Sequence, residues 1–146
     1  MKQIRYKNKS KFQKPEYSHK TDSGMDIRAN IDHIVTLVPG ERFIVPTGIY
    51  LEIPEDYEIQ IRPRSGLALK KGITVLNTPA TIDQNYRGEI KVILINLDSN
   101  EQTIEPGERI AQLVFAKVER AELIEVDEID ENTDRGTTGF GDSRKF

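Results

Sequence analysis

The sequence predicts an all-β domain of the sandwich, jelly-roll or barrel kind, carrying one short helix. Three observations predict it. Apolar and polar residues alternate through Ile49, Leu51 and Ile53 and again through Tyr57, Ile59 and Ile61, so each strand has a core face and a wet face. Pro39-Gly40, Pro46, Asp98-Ser99-Asn100 and Pro106-Gly107 cut the chain into short runs. Only the stretch 63–72, with Leu67, Ala68, Leu69, Lys70 and Lys71 together, favours a helix.

In chain order, residues 1–22 are basic and polar, with a first strand near Ile4–Tyr6 and then loop. Ser23-Gly24-Met25-Asp26 puts small residues before a carboxylate, which suits either a plain turn or backbone passing close to something. Strands follow over 34–38, 43–45, 49–53 and 57–61, with Pro46 ending the second. Ser65 is the expected N-cap of the helix and Gly72 its stop. Arg64, Ser65 and Gly66 at a helix start read either as an ordinary capped helix or as a seat for phosphate. The next stretch, Asn77 through Asn96, reads as a strand end, a turn and a long apolar strand buried on both faces. Asp83 and Tyr86 then sit on a stiff hairpin. Short strands are expected at 102–105 and 109–115. In the latter, Arg109, Ala111, Leu113 and Phe115 share one face and Gln112 the other. Gln112 is either a satisfied core amide or a donor aimed into a pocket. Residues 119–131 should give one more strand and then an acidic linker. This divides the chain into a β domain, 1–132, and a flexible glycine-rich arm, 133–146, which is either a loose terminus or a lid.

Composition narrows the function. The chain has 146 residues, enough for one real core, and a net charge of -3. That balance argues against a nucleic-acid coat or a membrane-surface protein. It has no cysteine and two histidines, so neither disulfides nor a thiolate or histidine-rich metal site is expected. The N-terminus lacks an apolar signal core, and the expectation is a soluble protein of the cytoplasm. No nucleophile–histidine pair is evident. Carboxylates on turns (Asp26, Asp83), anion donors (Arg64-Ser65-Gly66, Gln112, Arg135) and loop-borne rings (Tyr86, Phe140) suggest instead water attack on a nucleotide phosphate.

Five stretches, in order, resemble the five motifs of the trimeric dUTPases: Ser23 to Ile27, Pro63 to Leu67, Asn77 to Gly88, Arg109 to Leu113, and Arg135 to Ser143. The resemblance implies a jelly-roll-like β-barrel and a homotrimer with sites at subunit boundaries. It implies hydrolysis of dUTP with Mg2+ held mainly by phosphate oxygens and water, with Asp26 acting through water. Asp83 would be the general base and Tyr86 would lie under the deoxyribose. Asn77, with the backbone around Thr81, Ile82 and Lys91, would read uracil. Arg64, Ser65 and Gly66 of a neighbouring subunit, with Gln112, would hold phosphates. The arm would close over the site: Phe140 on uracil, Arg135 near the terminal phosphate, Gly141 and Ser143 in contact with substrate. This chain departs from the family's usual pattern at Ala80-Thr81, at Thr138 and at Asp142-Ser143-Arg144. A related deaminase acting on dCTP would carry a glutamate near the position of Ile93, and isoleucine cannot shuttle protons. A non-catalytic jelly-roll module is the reading from another class; it gives Asp83 and Tyr86 no task.

Overall fold

The computed structural model describes residues 2–139. Ten strands and one helix run in the order β1 (Arg5–Asn8), β2 (Gly24–Arg28), β3 (Val35–Leu37), β4 (Arg42–Glu52), β5 (Tyr57–Arg62), α1 (Ser65–Lys71), β6 (Ile73–Val75), β7 (Ala80–Ile82), β8 (Glu89–Asn96), β9 (Gln102–Ile104) and β10 (Arg109–Lys117). The fold is all-β, as expected, but its sheets do not close into one ring. Two four-stranded sheets, β1-β4-β8-β6 and β2-β10-β5-β7, are joined by a two-stranded ribbon, β3-β9. Non-sequential neighbours in both sheets mean that most pairings are long-range, as in jelly rolls.

The core lies between the sheets. Val45, Ile49, Ile90, Val92 and Leu94 of the first sheet meet Ile27, Ile59, Ile61, Ala111 and Leu113 of the second in one buried cluster. Period-two alternation delivers these residues, since every second side chain of a strand faces inward. No described helix is long and apolar enough to cross a membrane.

Four expectations need correction. First, Pro46 does not end a strand: β4 runs through it, pairing Pro46 with Lys91. A proline is tolerated there because the register slips between Pro46 and Tyr50, where ladder bonds are interrupted anyway. Gly48 sits in that slip with φ 68°, and a Cβ on it would lie 2.6 Å from the Ser10 nitrogen, so the position needs glycine. Second, β8 is buried on one face only. Ile90, Val92 and Leu94 are buried, whereas Lys91 is exposed and Ile93 and Ile95 are half-open. Third, no strand forms within 119–131: Leu123 is 95% exposed and Ile129 81%. Alternation gives a segment the habit of a strand, but without a neighbouring ladder its backbone has nothing to bond. Fourth, Ser65 is the first helical residue rather than the cap. Arg64 holds the cap position with extended backbone (φ -95°, ψ 128°), and its carbonyl already accepts from Ala68 N at 3.1 Å. Gly72 stops the helix as expected, in the left-handed region at φ 59°.

Candidate active site

Two groups of the predicted residues take shape, one on the second sheet and the start of α1, the other around the connection from the second sheet to the first. The first is polar and lies on the outer face of β2 and β10. Gln112 pairs with Asp26 on one side and Arg62 on the other, and opposed residues of an antiparallel ladder share a face. Met25, Ile27, Ala111 and Leu113 take the inner face, so Asp26 and Gln112 point away from the core. Asp26 Oδ1 accepts from Arg64 Nε at 2.8 Å, and Asp26 Oδ2 accepts from Arg109 Nη1 at 3.0 Å. Arg64 Nη1 also donates to the Arg109 carbonyl at 3.3 Å. The side chain of Asp26 is only 14% exposed and that of Arg64 23%, so this pairing is partly shielded from water. Gly24 lets Gln112 lie close: a Cβ there would come within 2.9 Å of Gln112 Oε1. That is the close passage the small residues before Asp26 had suggested.

Ser65 and Gly66 stand exposed at the start of α1, directly after Arg64. A Cβ built on Gly66 would meet nothing within 4 Å.

The second group is the turn between β7 and β8. Sequence reading makes this a hairpin, yet the two strands do not pair with each other. β7 pairs with β5 in the second sheet, while β8 pairs with β4 and β6 in the first. Residues 83–88 therefore bridge the two sheets. Tyr86 N donates to the Asp83 carbonyl at 3.1 Å, closing a turn that leaves the Asp83 side chain exposed. The phenol of Tyr86 folds back over Gly88 and donates to the Glu89 carbonyl at 2.9 Å. A Cβ on Gly88 would lie 2.3 Å from Tyr86 Oη, so only glycine leaves room for the ring. Asn77 and Thr81 are exposed and Ile82 half-buried; Lys91, on β8, is exposed. Ala80 sits without strain, because Asp56 is the only described non-glycine residue at positive φ.

The two groups do not meet. Among the described residues, no hydrogen bond or ion pair joins Asp26, Arg64, Ser65, Gly66 or Gln112 to Asn77, Thr81, Asp83, Tyr86 or Lys91. Asp26 lies on β2 and Thr81 on β7, the opposite edges of the sheet, three strand spacings or about 14 Å apart. Arg135 is exposed, its Nε donating to the Thr138 carbonyl at 2.9 Å within the arm itself. Phe140, Gly141 and Ser143 lie outside the described residues.

No three histidine, cysteine, aspartate or glutamate side chains gather as a metal-holding group among the described residues. The carboxyls held below their usual range, Asp32 by Lys11 and Asp98 by Asn100, belong to neither group.

A family model described as dUTPase matches residues 10–144. The chain belongs to the dUTPase family. Among its relatives, the deoxyuridine 5'-triphosphate nucleotidohydrolase of Fusobacterium nucleatum subsp. nucleatum is 56% identical over 131 residues, 90% of this chain and 89% of that protein. The protein of the same name from Neorickettsia sennetsu is 59% identical over 127 residues, 87% of this chain and 85% of the other. Among solved structures, Staphylococcus bacteriophage 80alpha dUTPase with dUPNHPP superposes with a TM-score of 0.87 at 30% identity, over 98% of this chain and 99% of that one.

Within this dUTPase-family chain, sequence reasoning missed one residue of the polar group, Arg109. Alternation puts Arg109 on the face of Ala111, toward the core. A bulge between Arg109 and Ala111 breaks that alternation and turns the guanidinium to Asp26.

Proposed function

We propose that the chain hydrolyses dUTP to dUMP and pyrophosphate, limiting uracil in DNA and supplying dUMP for thymidylate synthesis. Asp83 takes a proton from water as the water oxygen bonds to the α-phosphorus. The bond from that phosphorus to the bridging oxygen breaks, and pyrophosphate leaves. The reaction needs placement and charge neutralisation more than covalent help. What supports Asp83 is its setting: an exposed carboxylate on a turn whose backbone is tied to both sheets. Tyr86 lies under the deoxyribose and denies space to a 2′-hydroxyl. Asn77 and the backbone around Thr81, Ile82 and Lys91 read the uracil edge, and a base with another donor pattern is left unpaired. Arg64, Ser65 and Gly66 hold phosphates with Gln112. Arg135 reaches the terminal phosphate, Phe140 stacks on uracil, and Gly141 and Ser143 complete the cover, so the arm 133–146 is a lid on the domain 1–132.

The observation that carries this reading is the separation of the two groups. The residues proposed for phosphate, on β2, β10 and the start of α1, make no bond to those proposed for base and sugar, on β7, β8 and the connections beside them. Assembly as a homotrimer, with each site at a subunit boundary, would bring the phosphate set of one copy to the turn of another. The first sheet offers an apolar surface for such assembly, since Ile44 is 54% exposed and pairs with half-open Ile93.

Magnesium fits as an ion carried in on the triphosphate. Asp26 spends one lone pair of each carboxylate oxygen on an arginine and keeps another for water, so it can act on the ion through water. When bound, the ion neutralises phosphate charge. The same reading sets the enzyme in the cytoplasm, where nucleotide pools are consumed.

Pyrophosphate release measured across the common deoxynucleoside triphosphates, with and without magnesium, tests the proposal. Turnover is expected for dUTP alone; comparable turnover of dCTP or dTTP would overturn it. Uracil products from dCTP would favour the deaminase reading, which Ile93 disfavours. Tyr86→Ala should admit UTP as a competitor, cutting discrimination between the two sugars by about 10- to 100-fold. Unchanged discrimination would remove the sugar-gate role. Gly88→Ala should weaken the same discrimination without touching substrate, because the new methyl evicts the Tyr86 ring; inhibition constants for UTP measured in both variants check this.

A further inference from the structure

Given the phosphate role proposed for Arg64, we infer that Arg109 is a positioning residue that fixes Arg64 through Asp26. Four bonding groups form a closed loop. The Arg109 guanidinium donates to Asp26 Oδ2 at 3.0 Å, and Asp26 Oδ1 accepts from Arg64 Nε at 2.8 Å. Arg64 Nη1 returns to the Arg109 carbonyl at 3.3 Å. Two of the five Arg64 N–H groups are thus spent on orientation. Nη2 makes no hydrogen bond among the described residues, so both of its N–H groups are left for an incoming oxygen.

A lone carboxylate would hold Arg64 less well. Rotation about its χ2 torsion lets an aspartate swing, and an arginine on the second oxygen fixes the carboxylate plane. Arg109 also sets the charge. Asp26 with Arg64 alone is a neutral pair, whereas Asp26 with both arginines is net positive by one. A triphosphate is attracted more strongly to the second arrangement than to the first. The bulge before Ala111 is what aims Arg109 at the carboxylate, so the backbone irregularity has a task. Arg109 remains 45% exposed, so truncating it opens no core cavity.

A double-mutant cycle on the full-length enzyme tests this. Arg109→Gln should raise KM for dUTP about tenfold or more, the size expected for losing a charge-assisted bond, while leaving the inhibition constant of dUMP, which lacks the outer phosphates, within about threefold. Arg109→Lys should recover most of the loss, because an ammonium can still donate to Oδ2. In an Arg64→Gln background, Arg109→Gln should add little. If Arg64→Gln itself leaves KM for dUTP unchanged, the phosphate role of Arg64 fails. If Arg64→Gln raises KM but Arg109→Gln does not, the positioning role fails. Full additivity of the two substitutions would also overturn it, since Arg109 would then act independently of Arg64.

Discussion

Asp83→Asn is expected to cut turnover of dUTP by about 10²- to 10⁴-fold, the range for losing a general base, with the fold unchanged. The amide keeps the shape of the carboxylate but cannot accept a proton from water at neutral pH. Nothing structural should be lost. Within the described residues the Asp83 side chain takes part in no hydrogen bond or ion pair, and the turn is closed by its main-chain carbonyl accepting from Tyr86 N at 3.1 Å. Melting temperature and KM should therefore stay near those of the parent. Single-turnover rates and a thermal melt check both halves. A variant that turns over within tenfold of the parent would end the base assignment, and a variant with an equally low rate but a collapsed melt would leave a structural explanation in its place.

Removing residues 133–146 is expected to be nearly silent for stability and severe for catalysis. The described part of the arm bonds chiefly to itself. Gly136 N donates to Thr133 Oγ1 at 2.9 Å, Thr138 Oγ1 to the Arg135 carbonyl at 2.7 Å, and Arg135 Nε to the Thr138 carbonyl at 2.9 Å. A segment bonded in this way can leave without exposing core. If the arm covers the substrate, its loss admits water and frees the triphosphate, at a cost of about 10²-fold or more in kcat/KM. The measurement is steady-state hydrolysis by the truncated chain beside its sedimentation profile. Normal hydrolysis by the shortened enzyme would reject the lid.

Much of this fold was legible because β-strands announce themselves by alternation. Ile59 and Ile61, or Ile90, Val92 and Leu94, face the core where period two puts them. Gly72 was legible as a helix stop because few other residues take the left-handed conformation. What sequence hid was pairing. A strand's own residues do not state which ladder it joins, so β7 and β8 looked like two arms of one hairpin and proved to belong to separate sheets. Continuity through Pro46 was hidden for a similar reason, since the slip that tolerates the ring is a property of two strands together. Segment 119–131 had strand habit without a partner. The polar group was half legible. Asp26, Arg64 and Gln112 stood out by residue type, but Arg109 depended on a bulge that moves one side chain across the sheet.

Because residues 83–88 are moored at one end to each sheet, the acid at their centre holds its bearing only while both layers keep their mutual alignment. A chain whose layers have begun to slide is already a spoiled instrument, however much strand it retains. Heat inactivation should then coincide with loss of tertiary order, and an enzyme that is half melted yet still working has no place on its thermal path.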